Sequence, residues 1–173
     1  NIKNLMNQYR IKDKITIIIV LYREDYKLLY KTLDKIRDFK IIIIDNSNNV
    51  ELKNKVEANF KIEKYVLNKK NVGFSSGYNQ GVSLCETDYL LILNPDCIIN
   101  NESIIKLYEK LMLNEDCFLT TPTSYNENNQ LTYTGGLLPE NGKKGFPINL
   151  EGDICVESTL GACMFLKKEN FIE

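Results

Sequence analysis

The residues best suited to chemistry stand at the ends of apolar runs. Tyr89-Leu90-Leu91-Ile92-Leu93 is followed by Asn94-Pro95-Asp96, and proline, which has no N–H to give a sheet ladder, stops such a run as a strand. Asp96 is thereby delivered to a sheet edge. Open α/β sheets bind ligands at the carboxyl ends of their strands, and a lone acid there suits a cation or a phosphate-bound metal. The plainer role for Asn94 and Asp96 is turn formation and helix capping. Ile41-Ile42-Ile43-Ile44 ends in the same way, at Asp45 and the turn-rich Asn46-Ser47-Asn48-Asn49. Gly73, Gly77 and Gly81 are spaced by four, which on a helix puts them on one face and lets backbone approach a neighbour or a ligand. Tight helix–sheet packing satisfies that spacing equally well. No G-x-G-x-x-G follows the first strand and no G-K-[ST] is present, so this is neither the dinucleotide nor the Walker fingerprint.

Composition narrows the chemistry further. Histidine is absent, so acid–base work falls to carboxylates, Lys, Tyr or Cys. A formal net charge of −1, with 22 basic residues spread among 23 acidic ones, argues against nucleic acid as a partner. The five cysteines (Cys85, Cys97, Cys117, Cys155, Cys163) are odd in number and form no C-x-x-C pair. That pattern fits buried reduced thiols and a cytoplasmic location better than a disulfide frame or a zinc site. The longest apolar run, Ile15 to Tyr22, is far short of the about 20 residues that span a bilayer, and the N-terminus has no signal-peptide core. A soluble protein is expected, with peripheral association at the inner face of a membrane left open.

The elements that must position these residues alternate. Residues 1–14 form a polar lead-in with weak helical spacing at Leu5, Met6, Tyr9 and Ile11. Ile15–Leu21 is β-branched and nearly continuous, as a strand covered on both faces is. Tyr26, Leu29, Tyr30, Leu33 and Ile36 fall at helical spacing with Asp25 as cap. After the Ile41–Ile44 strand come a short helix (Leu52, Val56, Phe60), a third strand over Ile62–Leu67, and a helix capped by Ser75 or Ser76 that carries Tyr78, Val82 and Cys85. Asn100 or Asn101 caps a helix whose inward side is Ile104, Ile105, Leu107, Tyr108, Leu111 and Met112. Cys117–Thr121 reads as a strand, and 122–153 as an irregular stretch with one short strand pair. Gly161–Leu166 is a last strand, with no C-terminal element after it. The β-α-β-α-β-α-β-α-β order calls for a mostly parallel sheet with helices on both faces, in one domain of 173 residues.

With these pieces in order, the sequence resembles the inverting GT-A glycosyltransferases of family 2, and within it the rhamnosyltransferase-like branch. The matching residues are Val20-Leu21-Tyr22, Ile44-Asp45-Asn46-Ser47, Asn71-Val72-Gly73-Phe74 through Gly77, Asn79 and Gly81, then Leu93-Asn94-Pro95-Asp96 and Gly161-Ala162. The resemblance implies a GT-A-like, Rossmann-related sheet. It implies that Tyr22 lines the nucleotide base and that Asp45 hydrogen-bonds the base or ribose. Asn71, Gly73, Asn79 and Asn94 would contact the ribose, diphosphate or sugar of a UDP- or TDP-linked donor, and Asp96 would coordinate Mn²⁺ or Mg²⁺ on the diphosphate. The acceptor would be a glycan or a lipid-linked sugar in cell-surface polysaccharide synthesis.

Two departures from the family pattern stand out. The metal motif in many relatives is Asp-x-Asp, whereas its first acid is Asn94 here, which leaves the ion more dependent on diphosphate oxygens and water. The general base is expected on a later helix, beyond Glu173, so the domain is expected to be truncated at its C-terminal end. Glu169 and Glu173 stand too near the last strand to match that element. Alternatives are a nucleotide-sugar-binding module without turnover, or an unrelated α/β nucleotide-using enzyme. Among the latter, a sugar-phosphate nucleotidyltransferase wants a glycine-rich, basic loop after the first strand, which Tyr22-Arg23-Glu24-Asp25 is not.

Overall fold

Alternation along the first strand shows how the layers form. In Ile15–Leu21 (β1), Ile15, Ile17, Ile19 and Leu21 enter one core and Ile18 a second, all at 0% exposure. A strand whose successive side chains are buried in opposite directions lies at the middle of a sheet covered on both sides. Burying each of these isoleucines contributes roughly 1.5–3 kcal/mol. The computed structural model describes residues 10–136 and 152–172. Leu5, Met6 and Tyr9, the 137–151 part of the irregular 122–153 stretch and Glu173 lie outside the described residues.

The chain continues through Tyr26–Ile36 (α1), Lys40–Asp45 (β2), Val50–Asn59 (α2), Lys64–Leu67 (β3), Phe74–Leu84 (α3), Tyr89–Leu93 (β4) and Asn101–Leu113 (α4). It then runs through Leu119–Thr120 (β5), Ser124–Tyr125 (β6), Leu131–Tyr133 (β7), Cys163–Lys167 (β8) and Lys168–Ile172 (α5). The main sheet has the order β3-β2-β1-β4-β8-β5, while β6 and β7 pair apart from it. β1 lies parallel to β2 and β4, and β2 parallel to β3; β8 runs antiparallel to β4 and β5. The order turns back on itself between β1 and β4, which creates a crevice outside their carboxyl ends. Leucines and isoleucines of α1, α2 and α4 join the core under β1's Ile15 face, whereas α3 supplies Tyr78 and Val82 to the core under Ile18. The mostly parallel sheet with helices on both faces is therefore present.

Local signals mostly set the ends. Asp25 caps α1 by accepting from the N–H groups of Lys27 and Leu28 at 2.8 and 3.1 Å, and Asn100, rather than Asn101, caps α4 through Ser103 N–H at 2.8 Å. The expected serine cap on α3 is corrected: Gly73 is the cap, at φ +87°, with no side-chain cap bond, and Ser75 and Ser76 stand inside the first turn. The expected strands at 62–67, 117–121 and 161–166 contract to Lys64–Leu67, Leu119–Thr120 and Cys163–Lys167. Met112 is exposed, at the edge of its helix's inward face. A short helix, α5, follows the last strand where no element was expected. All five cysteines are free thiols, but only Cys85 and Cys163 are buried; Cys155 is exposed. Among the described residues no helix is long and apolar enough to cross a membrane.

Candidate functional site

Asp96 reaches the crevice through a tight turn. Asn94 accepts the Cys97 N–H at 3.1 Å through its carbonyl, so Pro95 and Asp96 form the corner that proline's fixed φ favours. Thr32, fully buried on α1, donates its hydroxyl to the Pro95 carbonyl at 2.8 Å, and the Asn94 N–H is held by the Ala162 carbonyl at 2.8 Å. The turn is thus tied to a helix below and to β8 beside it, and the Asp96 side chain is left exposed.

Around it lies a cleft of about 270 Å³, lined by Asn94, Pro95 and Asp96 from the β4 end and by Val20, Tyr22 and Glu24 from the β1 end. Asn46 closes it from β2, and Asn71, Gly73 and Phe74 from the loop into α3. Of the residues expected from sequence, Tyr22, Asn71, Gly73, Asn94 and Asp96 meet here. Tyr22 is 44% exposed with the Arg23 guanidinium 5.0 Å from its ring centroid. Arg23 itself sits at φ +60°, a conformation that costs a non-glycine residue about 1–2 kcal/mol. Its N–H is held by Ser47 Oγ at 2.6 Å. Asn71 is committed in part: its Oδ1 accepts the Gly73 N–H at 2.8 Å.

Two expected residues stand elsewhere. Asp45 is at 0% exposure and does not line the cleft. Its Oδ1 accepts the Ser47 N–H at 2.6 Å and its Oδ2 the Tyr65 hydroxyl at 3.1 Å. The expected contact of Asp45 with the base or ribose is not supported by this placement: turn chemistry claims the carboxylate. Burial, and next the Asp45 charge, push the Tyr65 hydroxyl well above the usual phenol range, so it stays a donor. Asn79 is exposed on α3 and outside the cleft. Gly77, Tyr78, Gly81 and Val82 are the buried positions of that helix, which turns Asn79 away.

Glu24 and Asn46 also line the cleft without having been named from sequence as site residues, and Phe74 belongs to the matching block that opens at Asn71. Glu24 follows Tyr22 by two residues at the same sheet edge as Asp96, and that shared edge was the available signal. Its carboxyl is pushed above the ordinary range, chiefly by burial and also by the Asp96 charge, with a Tyr22 backbone hydrogen bond opposing. Phe74 forms a wall, packed edge-on against Tyr78 with centroids 4.6 Å apart. Gly161 lies against the Phe74 ring, where an added Cβ would come within 3.4 Å. The cleft presents oxygen ligands on the carboxylates of Asp96 and Glu24 and on the amide of Asn94, whereas the amide oxygens of Asn46 and Asn71 already accept from Asn68 and from the Gly73 N–H. Such hard oxygen ligands fit Mg²⁺ or Mn²⁺. Among the described residues no three His, Cys, Asp or Glu side chains converge.

The sequence matches the family described as "Glycosyl transferase family 2" over residues 16–171. It is 36% identical over 107 residues to the low-salt glycan biosynthesis hexosyltransferase Agl10 of Haloferax volcanii, a match that takes in 58% of this chain and 34% of that protein. Against an uncharacterised glycosyltransferase of Methanocaldococcus jannaschii, MJ1057, identity is 25% over 114 residues, with 61% and 39% covered. The chain therefore spans well under half the length of these curated relatives. In fold it is similar to residues 1–349 of S. aureus TarS, with a TM-score of 0.60, 14% identity, and 90% of this chain and 47% of that one covered. It is also similar to the mannosyltransferase PcManGT of Pyrobaculum calidifontis, solved with GDP-Man and Mn²⁺, at a TM-score of 0.53 and 14% identity over 72% of this chain and 44% of that one. A family match across nearly the whole chain, on a sheet whose strand order opens a cleft at its carboxyl edge, means that this chain belongs to glycosyl transferase family 2.

Proposed function

We propose that this chain is the nucleotide-sugar-binding domain of a divalent-metal-dependent, inverting sugar transferase that acts on a glycan or lipid-linked acceptor. The observation that carries the reading is the convergence of an exposed acid, a half-exposed aromatic ring and a glycine turn on one cleft at the carboxyl edge of the sheet. Tyr22 presents a ring face to the base. Gly73 lets the chain approach the diphosphate closely, since it carries no side chain. Asp96, with Glu24 and Asn94 beside it, would hold the ion. When bound, the ion counters the charge that develops on the departing nucleoside diphosphate. Asp45 acts from behind the cleft by fixing the Ser47 turn, which in turn holds Arg23. No residue of this chain is assigned as the acceptor's general base.

Calorimetric titration of the 173-residue chain with UDP, TDP and GDP, each with Mn²⁺, tests this reading. At least one nucleotide should bind with Mn²⁺ and lose tenfold or more of its affinity in Asp96→Ala, on the order of 1.4 kcal/mol. Absence of heat from all three, or an Asp96→Ala variant indistinguishable from the parent, overturns it.

A further inference from the structure

A chain of side-chain amides runs from the outer part of α3 to the glycine turn in the cleft. Gln80 and Asn68 form a reciprocal pair: Asn68 Nδ2 donates to Gln80 Oε1 at 2.9 Å, and Gln80 Nε2 donates to Asn68 Oδ1 at 3.2 Å. Asn68 Nδ2 also donates to Asn46 Oδ1 at 2.9 Å, and Asn46 Nδ2 donates to the Gly73 carbonyl at 3.3 Å. Asn46 is 4% exposed, so its amide depends on these partners rather than on bulk water. An amide has one acceptor end and one donor end. With Asn46 Oδ1 taken by Asn68, only the donor end can face Gly73.

We infer that Asn68 and Gln80 are positioning residues, which fix the polarity of the Asn46 amide and through it clamp the Gly73 turn in the form that receives the donor. This rests on the nucleotide-sugar reading of the cleft. Neither Asn68 nor Gln80 lines the cleft, whereas Asn46, Asn71 and Gly73 do. No side chain packs over Gly73: its φ of +87° is open to glycine alone at low cost, and nothing lies within 4 Å of where a Cβ would stand. Its carbonyl takes the first helical bond of α3 from Gly77 N–H at 3.1 Å, and its N–H goes to Asn71. The Asn46 amide therefore joins the sheet edge to the turn.

Two substitutions of equal size and equal added charge separate polarity from mere bulk or charge. In Asn68→Asp the carboxylate only accepts, so Asn46 must turn its Nδ2 toward it and oppose its own oxygen to the Gly73 carbonyl. In Gln80→Glu the carboxylate still accepts from Asn68 Nδ2; the bond from Gln80 Nε2 to Asn68 Oδ1 is lost, but Asn68 keeps Nδ2 toward Asn46 and the polarity of the Asn46 amide survives. By titration with UDP, TDP and GDP plus Mn²⁺, Asn68→Asp should bind about tenfold more weakly than the parent, and Gln80→Glu within about twofold of it. Asn68→Ala, which leaves Asn46 Oδ1 without the Asn68 donor, should weaken binding several-fold and serves if Asn68→Asp does not fold. Parent-like affinity in the Asn68 variants, or equal losses in Asn68→Asp and Gln80→Glu, overturns the relay and leaves the functional reading standing. A parent that binds none of the three nucleotides removes both.

Discussion

Asp45 and Asp96 are acids of the same type, each just past a buried strand, with opposite fates set by what their neighbours offer. Asp96 stays exposed, with the neighbouring Cys97 thiol as its side-chain hydrogen-bond partner; Asp45 meets the Ser47 N–H and the Tyr65 hydroxyl and is sealed. Tyr65 matters for what it prevents. In Tyr65→Phe the buried Oδ2 loses its one side-chain donor, and an unsatisfied buried acceptor costs about 1–3 kcal/mol. Urea unfolding should show that loss as a lower midpoint with an unchanged slope. A midpoint equal to the parent's would mean that Asp45 reorganises freely.

At the scale of elements, β4 and α3 carry the site, each under a constraint that is not itself chemical. The β4 turn leans on Thr32, which offers one hydroxyl to the Pro95 carbonyl from inside the core. Thr32→Val keeps the shape and removes the bond, so stability should fall by about 1–3 kcal/mol. Nucleotide binding with Mn²⁺ should weaken in parallel, because Asp96 sits on that turn. Loss of stability with binding intact would show the turn to be held from the β8 side alone. α3 depends on two kinds of glycine. An added Cβ at Gly81 meets the Ile18 side chain, and one at Gly77 would stand 2.8 Å from Val20 Cγ1. Gly81→Ala should therefore overpack the helix against β1 and cost about 1–3 kcal/mol. Gly73→Ala has room but must hold a left-handed φ, at about 1–2 kcal/mol. Thermal unfolding of the two variants measures both losses.

At the scale of the whole molecule, the segment before β1 is pinned by a small polar junction. Lys12 Nζ and Asn101 Nδ2 both reach Asp38 Oδ2 at 2.8 Å, which joins the approach to β1, the end of α1 and the start of α4. The hydrogen bond from Lys12, above all, holds the Asp38 carboxyl below its ordinary value of 3.8. A carboxyl depressed on folding adds stability that is complete above its unfolded value and is lost as pH falls through its folded value. The parent's advantage over Asp38→Asn should thus be full at neutral pH, begin to fall as the pH drops through the ordinary value of 3.8 and be gone once the pH is below the lowered folded value. Since the Asp38 side chain is 49% exposed, the difference should not exceed about 1 kcal/mol. An advantage that persists in acid would assign it to the Asn101 contact instead.

Periodicity and punctuation in the sequence were enough to determine the order of the main strands and helices up to the last strand, the caps at Asp25 and at Asn100 or Asn101, and the corner at Pro95, because each is set by residues within a few positions of one another. The same local signals brought Asn94 and Asp96 to the end of their strand, whereas Tyr22, Asn71 and Gly73 were named as site residues by the family resemblance. Local signals could not say which of several polar residues at one sheet edge would face the cleft. Asp45 was lost to Tyr65, 20 positions away, and Asn46 was gained through Asn68, 22 positions away. Glu24 entered the site only because the strand order sets the β1 and β4 ends side by side. A side chain's partner across such separations depends on how the layers pack, and only the tertiary structure decides that.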